Sequence, residues 1–141
     1  MTGDSFVRRT ANGSYVALFQ ETGGVYSLLE LVIPPGSGPP PHTHLKEDEG
    51  FYVLEGIFKV WVGGNAPLEL NPGDHAFGPR RIQHNFKNVG TAPGRLLLIF
   101  TPGGLEGYFM ELAEVRAVGG DDLLNKEEAI DKKYGIVINR R

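Results

Sequence analysis

The chain has 141 residues with 14 basic and 17 acidic side chains, a formal charge of −3 and no cysteine. The absence of cysteine excludes disulfides, thiolate metal sites and cysteine nucleophiles, and the dispersed charges provide no concentrated basic face for nucleic acid. The 20 glycines and 10 prolines lie between short apolar segments. They predict many tight turns and therefore many short strands.

The N-terminal residues 1–10 lack the apolar core of a secretory signal peptide. No segment approaches the roughly 20 apolar residues of a membrane helix, and the longest apolar run, residues 96–100, has the length of a buried strand. Small secreted domains often carry disulfides, so their absence favours a reducing compartment. We therefore expect a cytoplasmic protein without a membrane partner.

The first part of the chain predicts three strands. Residues 6–10 and 15–20 form two of them, separated by a turn at residues 11–14. Residues 26–33 alternate and then become almost continuously apolar, which predicts a strand buried on at least one face. The proline-rich segment 34–41 must follow as an extended loop or sheet edge, because proline cannot donate a hydrogen bond to a ladder.

Six further strands are predicted after the proline-rich segment, with turn residues between them. They cover residues 49–54, 57–62, 67–70, 75–78, 84–88 and 95–101. In the second of these, Phe58, Val60 and Val62 share one face, as period-two alternation requires. About nine short strands predict an all-β sandwich or barrel, and an immunoglobulin-type sandwich fits this composition equally well.

The C-terminal part of the chain changes from strand to helix patterning. Apolar residues in the segment 105–117 recur at helical spacing, residues 121–134 predict a second helix, and residues 136–138 a short final strand. The expected organisation is a β-barrel over residues 1–104. A helical extension, residues 105–141, packs on the barrel within the same domain.

Three of the four histidines lie where they can share a metal ion. His42 and His44 are two residues apart, so on an extended segment both imidazoles point to the same side. Glu49 follows at the start of one predicted strand, and His84 begins a later one. Imidazole and carboxylate together suit the divalent ions from manganese to zinc. A His-x-His pair alone also arises by chance in polar turns, so the pair by itself does not separate ligands from surface histidines.

A fixed-spacing motif surrounds this pair. It reads glycine at Gly36, five residues, His42, one residue, His44, four residues, Glu49, six residues and Gly56. This is the complete spacing of the first motif of the cupin family, and chance agreement at so many fixed positions is very improbable.

A second motif lies further along the chain. It reads Gly73, five residues, Pro79, then Arg81, two residues, His84, three residues and Asn88. It matches the second cupin motif except at Arg81, where cupins usually have glycine. The chain therefore resembles small single-domain bacterial cupins, some of them quercetin-dioxygenase-like.

The resemblance is close from residue 26 to residue 102 and looser in the C-terminal helices. It implies a cupin double-stranded β-helix, the jelly-roll barrel, with a metal inside. The implied ligands of one divalent ion (iron, manganese, nickel, copper or zinc) are His42, His44, Glu49 and His84. The implied turn glycines are Gly36, Gly56 and Gly73, and the glycine that Arg81 replaces is expected to serve a positive φ.

Two aromatic residues and one histidine near the motifs are further candidates. Phe51 shares a strand face with Glu49, and Phe86 shares one with His84, so both phenylalanines are predicted to line the pocket around the metal. His75 lies outside the ligand positions and is expected to be structural or exposed.

Three functions fit the expected site. The first is a dioxygenase-like oxidoreductase, in which Glu49 also acts as a catalytic base toward a hydroxyl substrate. The second is a non-redox isomerase, lyase or hydrolase in which the metal acts as a Lewis acid, and the third is a small-molecule binding module without turnover. We favour the first, and we expect a small-molecule substrate, no nucleic-acid partner and a homodimer.

Overall fold

The computed structural model describes residues 15–17 and 22–139. The strand predicted at residues 6–10, the turn at residues 11–14 and the end of the second predicted strand, residues 18–20, lie outside the described residues.

The described residues form ten strands and two helices. The strands are β1 (Tyr15–Ala17), β2 (Ser27–Ile33), β3 (His42–His44), β4 (Asp48–Glu55), β5 (Phe58–Val62), β6 (Leu68–Leu70), β7 (His75–Gly78), β8 (His84–Asn88), β9 (Gly94–Thr101) and β10 (Ile136–Ile138). The helices are α1 (Glu106–Val118) and α2 (Leu123–Tyr134). The predicted fold class, an all-β jelly roll with two short C-terminal helices, is confirmed.

The strands form two five-stranded antiparallel sheets. One has the order β1-β2-β9-β4-β7 and the other the order β10-β3-β8-β5-β6. No strand pairing joins the two sheets within the part of the chain that the structure describes, so the jelly roll is an open pair of sheets rather than a closed barrel.

The core lies between the two sheets. Alternate residues of β4, β8 and β9 point inward, as the pleat requires. Across the gap between the sheets, the ring centroids of Phe51 on β4 and Phe86 on β8 lie 5.9 Å apart. Each fully buried side chain of this size contributes about 1.5–3 kcal/mol relative to an exposed one.

The C-terminal segment returns to the strand that carries His42 and His44. β10 pairs antiparallel with β3, which places Ile136 opposite His44 and Ile138 opposite His42. β8 pairs with β3 on its other side. Residues 136–138 therefore help to fix the short strand β3 in an extended conformation.

The two helices are tied to each other and to the first sheet by polar contacts. The Ser27 hydroxyl on β2 donates to the carboxylate of Glu106 at the start of α1, and the Tyr108 hydroxyl donates to Asp131 Oδ1 on α2 at 2.7 Å. Neither helix has the length and apolar character to cross a membrane, and this holds for every helix within residues 22–139.

Candidate metal centre

The four side chains of the two motifs meet at one place. Each of His42, His44, Glu49 and His84 offers a ligand atom within 4.8 Å of the ligand atoms of the others, and all four side chains are buried. This group is able to hold a metal ion. The arrangement matches the ligand set that the sequence motifs imply.

Both sheets contribute to the cluster. His42 and His44 lie on the same side of β3 because they are two residues apart, and His84 on β8 is the register partner of His42. Glu49 comes from β4 in the opposite sheet. The cluster therefore spans the gap between the sheets.

The distances within the cluster are compatible with a shared metal ion. Glu49 Oε1 lies 3.0 Å from His44 Nε2 and 3.1 Å from His84 Nε2. Two donor atoms bonded to one ion at about 2.1 Å and at right angles would lie about 3.0 Å apart. His44 Nε2 finds no properly directed hydrogen-bond partner among the described residues, and the Nδ1 atoms of His44 and His84 have none either. Leaving a buried polar atom without a partner is costly, so His44 Nε2, which faces Glu49 Oε1, favours an ion in the cluster.

His42 is oriented by the backbone. Its Nδ1 lies 2.8 Å from the carbonyl oxygen of Pro40, and a carbonyl can only accept, so Nδ1 carries the proton. Nε2 is then left with its lone pair, as a metal ligand requires. A hydrogen bond of this kind to the non-ligating nitrogen is the usual way in which proteins fix a metal-binding imidazole.

The electrostatics hold Glu49 and His42 in their ligand forms. Burial and the neighbouring rings of His84 and His44 lower the pKa of His42 to about 4, so its imidazole is neutral at neutral pH. Burial alone would raise the pKa of Glu49, but the contacts with His44 and His84 outweigh it and bring that pKa to about 2. An ionised carboxylate and a neutral imidazole are the forms that bind a cation.

Two residues of the second motif, Arg81 and Asn88, make hydrogen bonds to neighbouring segments. Arg81 has φ 69°, so the positive φ expected for the usual glycine is kept with arginine in its place. In this conformation the Arg81 N–H donates to the carbonyl of His44 at 2.7 Å. Asn88 is fully buried, and its amide nitrogen donates to the carbonyls of Ile33 and Ala92, both at 2.9 Å.

Two residues beside the cluster, Gly78 and Glu47, were not identified from the sequence. A Cβ on Gly78 would lie 2.9 Å from His84 Nδ1 and 3.2 Å from Phe51 Cε2, so the absent side chain makes room for the His84 ring. Glu47 is buried, its Oε1 has no partner among the described residues, and burial raises its pKa above the usual range. Alternation offered no signal for either residue, because the space beside Gly78 and the burial of Glu47 depend on how the strands pack together.

A cavity of about 590 Å³ opens from the cluster, with His42, His44 and Glu49 in its wall. This size is within the range of small-molecule sites. Phe86 lines the cavity. Phe51 instead packs edge-on against the His84 ring, at 5.3 Å between centroids, and lies behind the ligands in the core. His75 is exposed on β7 and lies outside the cluster.

The wall of the cavity is mainly apolar and comes from both sheets, the proline-rich loop and both helices. Besides the ligands it includes Leu31, Ile33, Ser37, Pro40, Leu98, Phe100, Tyr108, Phe109, Leu112, Arg116, Glu127, Ile136 and Ile138. A small, largely apolar organic molecule with one polar end toward the cluster fits such a surface.

Comparison with known proteins gives consistent results. Residues 29–100 match the family model described as Cupin domain. The chain is 28% identical over 143 aligned positions to quercetin 2,3-dioxygenase from Bacillus subtilis, with 94% of this chain covered. It spans 40% of the length of that dioxygenase and 60% of the next curated relative, so it matches only part of each.

Two solved structures share the fold. KdgF from Halomonas sp. superposes with a TM-score of 0.60 at 21% identity, covering 71% of this chain and 88% of that one. The DMSP lyase DddQ from Ruegeria pomeroyi superposes with a TM-score of 0.52 at 28% identity, covering 59% of this chain and 41% of that one.

Proposed function

This chain belongs to the cupin family, and from that premise we propose that it is a metal-dependent enzyme that uses dioxygen to oxidise a small organic molecule. The observation that carries the proposal is the buried His42, His44, Glu49 and His84 cluster in the wall of an apolar cavity. The similarity to quercetin 2,3-dioxygenase supports the choice of an oxidation over other reactions.

The residues of the site have separate roles in this proposal. A divalent ion held by three imidazoles and one carboxylate would supply electron transfer and electrostatic stabilisation of an oxyanion. Glu49 would accept the proton of a substrate hydroxyl, because its carboxylate lies in the cavity wall. Phe86 and Phe100 exclude water and orient the apolar body of the substrate.

The test begins with elemental analysis of untagged protein purified without added metal or chelator. Near-stoichiometric iron, manganese, nickel or copper, followed by oxygen uptake with flavonol or enediol compounds, is the expected result. Zinc alone, with no oxygen uptake after loading with the other ions, would overturn the oxidation. Absence of metal, with none taken up on reconstitution, would leave only a binding module.

A lyase is the second candidate, and the similarity to the DMSP lyase DddQ favours it. The same carboxylate of Glu49 would then remove a proton from carbon beside a carbonyl or carboxylate, with the metal as Lewis acid. Oxygen uptake separates the two candidates. A lyase consumes no dioxygen and turns over equally well under nitrogen.

A further inference from the structure

One face of helix α1 lines the cavity. Tyr108, Leu112 and Arg116 are spaced by four residues, so they lie on the same side of the helix, and all three line the cavity together with Phe109. The face is apolar at its start and ends in the guanidinium of Arg116.

A run of aromatic rings leads from the metal ligands to this face. The His44 ring lies 5.5 Å from Phe100, and Phe100 lies 6.2 Å from Phe109 on α1. Arg116 follows Phe109 by seven residues, which is about 10 Å along a helix axis. The backbone of Arg116 therefore lies about two helical turns beyond Phe109, the residue of α1 whose ring contacts Phe100.

Arg116 is held in place by Glu127 of α2. Its Nε donates to Glu127 Oε1 at 3.4 Å and its Nη2 donates to Oε2 at 3.3 Å. Both carboxylate oxygens are thus engaged, and Glu127 is only 14% exposed. The Arg116 side chain is 58% exposed, and its Nη1 has no partner among the described residues.

The accessible member of the ion pair at this end of the cavity is the guanidinium. Apart from the ligand Glu49, Arg116 and Glu127 are the charged residues in the described lining. The carboxylate is covered and paired, whereas the guanidinium has unused donors facing an accessible space. A planar fork of donors is the arrangement that binds a carboxylate most effectively.

We propose that Arg116 is a specificity-determining residue, which binds the carboxylate of an otherwise apolar aromatic or alkyl substrate at the end remote from the metal. The proposal rests on the proposed function, since it places the body of the substrate in the same cavity. Glu127 acts as a positioning residue that holds the guanidinium plane.

The test compares two probes that differ only in charge, 2-naphthoate and 2-naphthamide, by isothermal titration calorimetry. Wild-type protein, Arg116→Gln and Lys133→Gln are each measured metal-free and loaded with zinc. Lys133 is the matched control because it pairs with Glu111 between the same two helices, is 62% exposed and does not line the cavity. Wild type and Lys133→Gln are expected to bind the carboxylate about tenfold more tightly than the amide.

In Arg116→Gln this preference should fall to about one while the affinity for 2-naphthamide stays unchanged. If the preference for the carboxylate survives in Arg116→Gln but disappears on metal removal, the metal ion binds the carboxylate. That result would overturn the proposal for Arg116 while leaving the metal centre intact. Equal binding of both probes by wild type would overturn it also. Failure of both probes to bind any form would remove the cavity as a site for this substrate class.

Discussion

His42 and His84 are direct register partners in the β3–β8 ladder, and their rings lie 4.6 Å apart between centroids. The two motifs, which are separated along the chain, meet because these two strands are neighbours. Directly opposed residues of an antiparallel pair project to the same face of the sheet. Strand pairing therefore brings the histidines together, whereas Glu49 comes from the opposite sheet, so the four side chains cannot be assembled without the fold.

Removing one ligand should empty the site. In His44→Ala we expect metal affinity to fall by more than the roughly 100-fold that loss of an outer-shell partner costs, because the ion loses one of four donors. Metal content is measured by elemental analysis after gel filtration, with circular dichroism as the check on folding.

His75→Ala is the matched control for that measurement. His75 lies exposed on β7 outside the cluster, so its replacement should leave occupancy at the wild-type value. Full occupancy in His44→Ala would remove His44 from the ligand set.

Gly78 should be sensitive to substitution although it carries no side chain, but less so than a ligand. A methyl group there would meet His84 Nδ1 at 2.9 Å, which forces the ring away from Glu49. We expect Gly78→Ala to weaken metal binding by about 10-fold to 100-fold, the range seen when the orientation of a ligand is disturbed. Competition with a chromophoric chelator measures the change.

Gly64→Ala is the control for Gly78→Ala. A Cβ at Gly64 would meet nothing within 4 Å, and Gly64 is not among the glycines with positive φ. If both alanine variants bind metal as wild type does, the close approach of Gly78 to His84 has no part in the site.

Arg81 should tolerate glycine and reject valine. The positive φ of Arg81 costs a non-glycine residue roughly 1–2 kcal/mol, and glycine removes that cost while adding about 0.4–1 kcal/mol of unfolded-state entropy. We expect Arg81→Gly to be neutral or stabilising by up to about 1 kcal/mol, and Arg81→Val to destabilise by about 1–3 kcal/mol. Urea unfolding midpoints at constant m-value provide the measurement, and the opposite order would show that the Arg81 side chain matters more than its backbone.

The strands were predictable because they depend on short-range order along the chain, and the grouping of the four candidate ligands followed from the resemblance to the cupin motifs. Alternation placed Phe58, Val60 and the other core residues on one face, and motif spacing selected His42 and His84 from the four histidines. The glycine that cupins usually have at the Arg81 position implied a positive φ there, and Arg81 adopts it.

Two features were not predictable from the sequence: whether an inward-facing side chain reaches the cavity or fills the core, and which separate segments contact each other. Parity placed Phe51 and Phe86 on the inner faces, but only Phe86 reaches the cavity, whereas Phe51 fills the core behind His84. The pairing of Ile136–Ile138 with β3 joins segments far apart in the chain. The approach of Gly78 to His84 depends on how β7 and β8, which belong to different sheets, face each other. Such contacts leave no periodic trace in one sequence.

The helical hairpin should lose stability in alkaline solution through Tyr134. Its hydroxyl donates to the carboxylate of Glu111, on which Lys133 Nζ also lies at 3.0 Å. Burial, together with the hydrogen bond and charge of Glu111, raises the pKa of Tyr134 from 10.0 to about 12. Between these values the unfolded chain has released the phenol proton and the folded chain still holds it. The free energy of unfolding therefore falls as pH rises through this window.

Tyr134→Phe removes this titration while keeping the ring. The variant should be less stable than wild type by about 1 kcal/mol at neutral pH, because the hydrogen bond to Glu111 is lost, and the difference should shrink as pH rises from 10 toward 12. Urea midpoints of both proteins across that interval measure the difference, with Tyr52→Phe, a replacement at an exposed strand position, as the control for general alkaline effects. A difference that stays constant with pH would mean that Tyr134 ionises equally in the folded and unfolded chains.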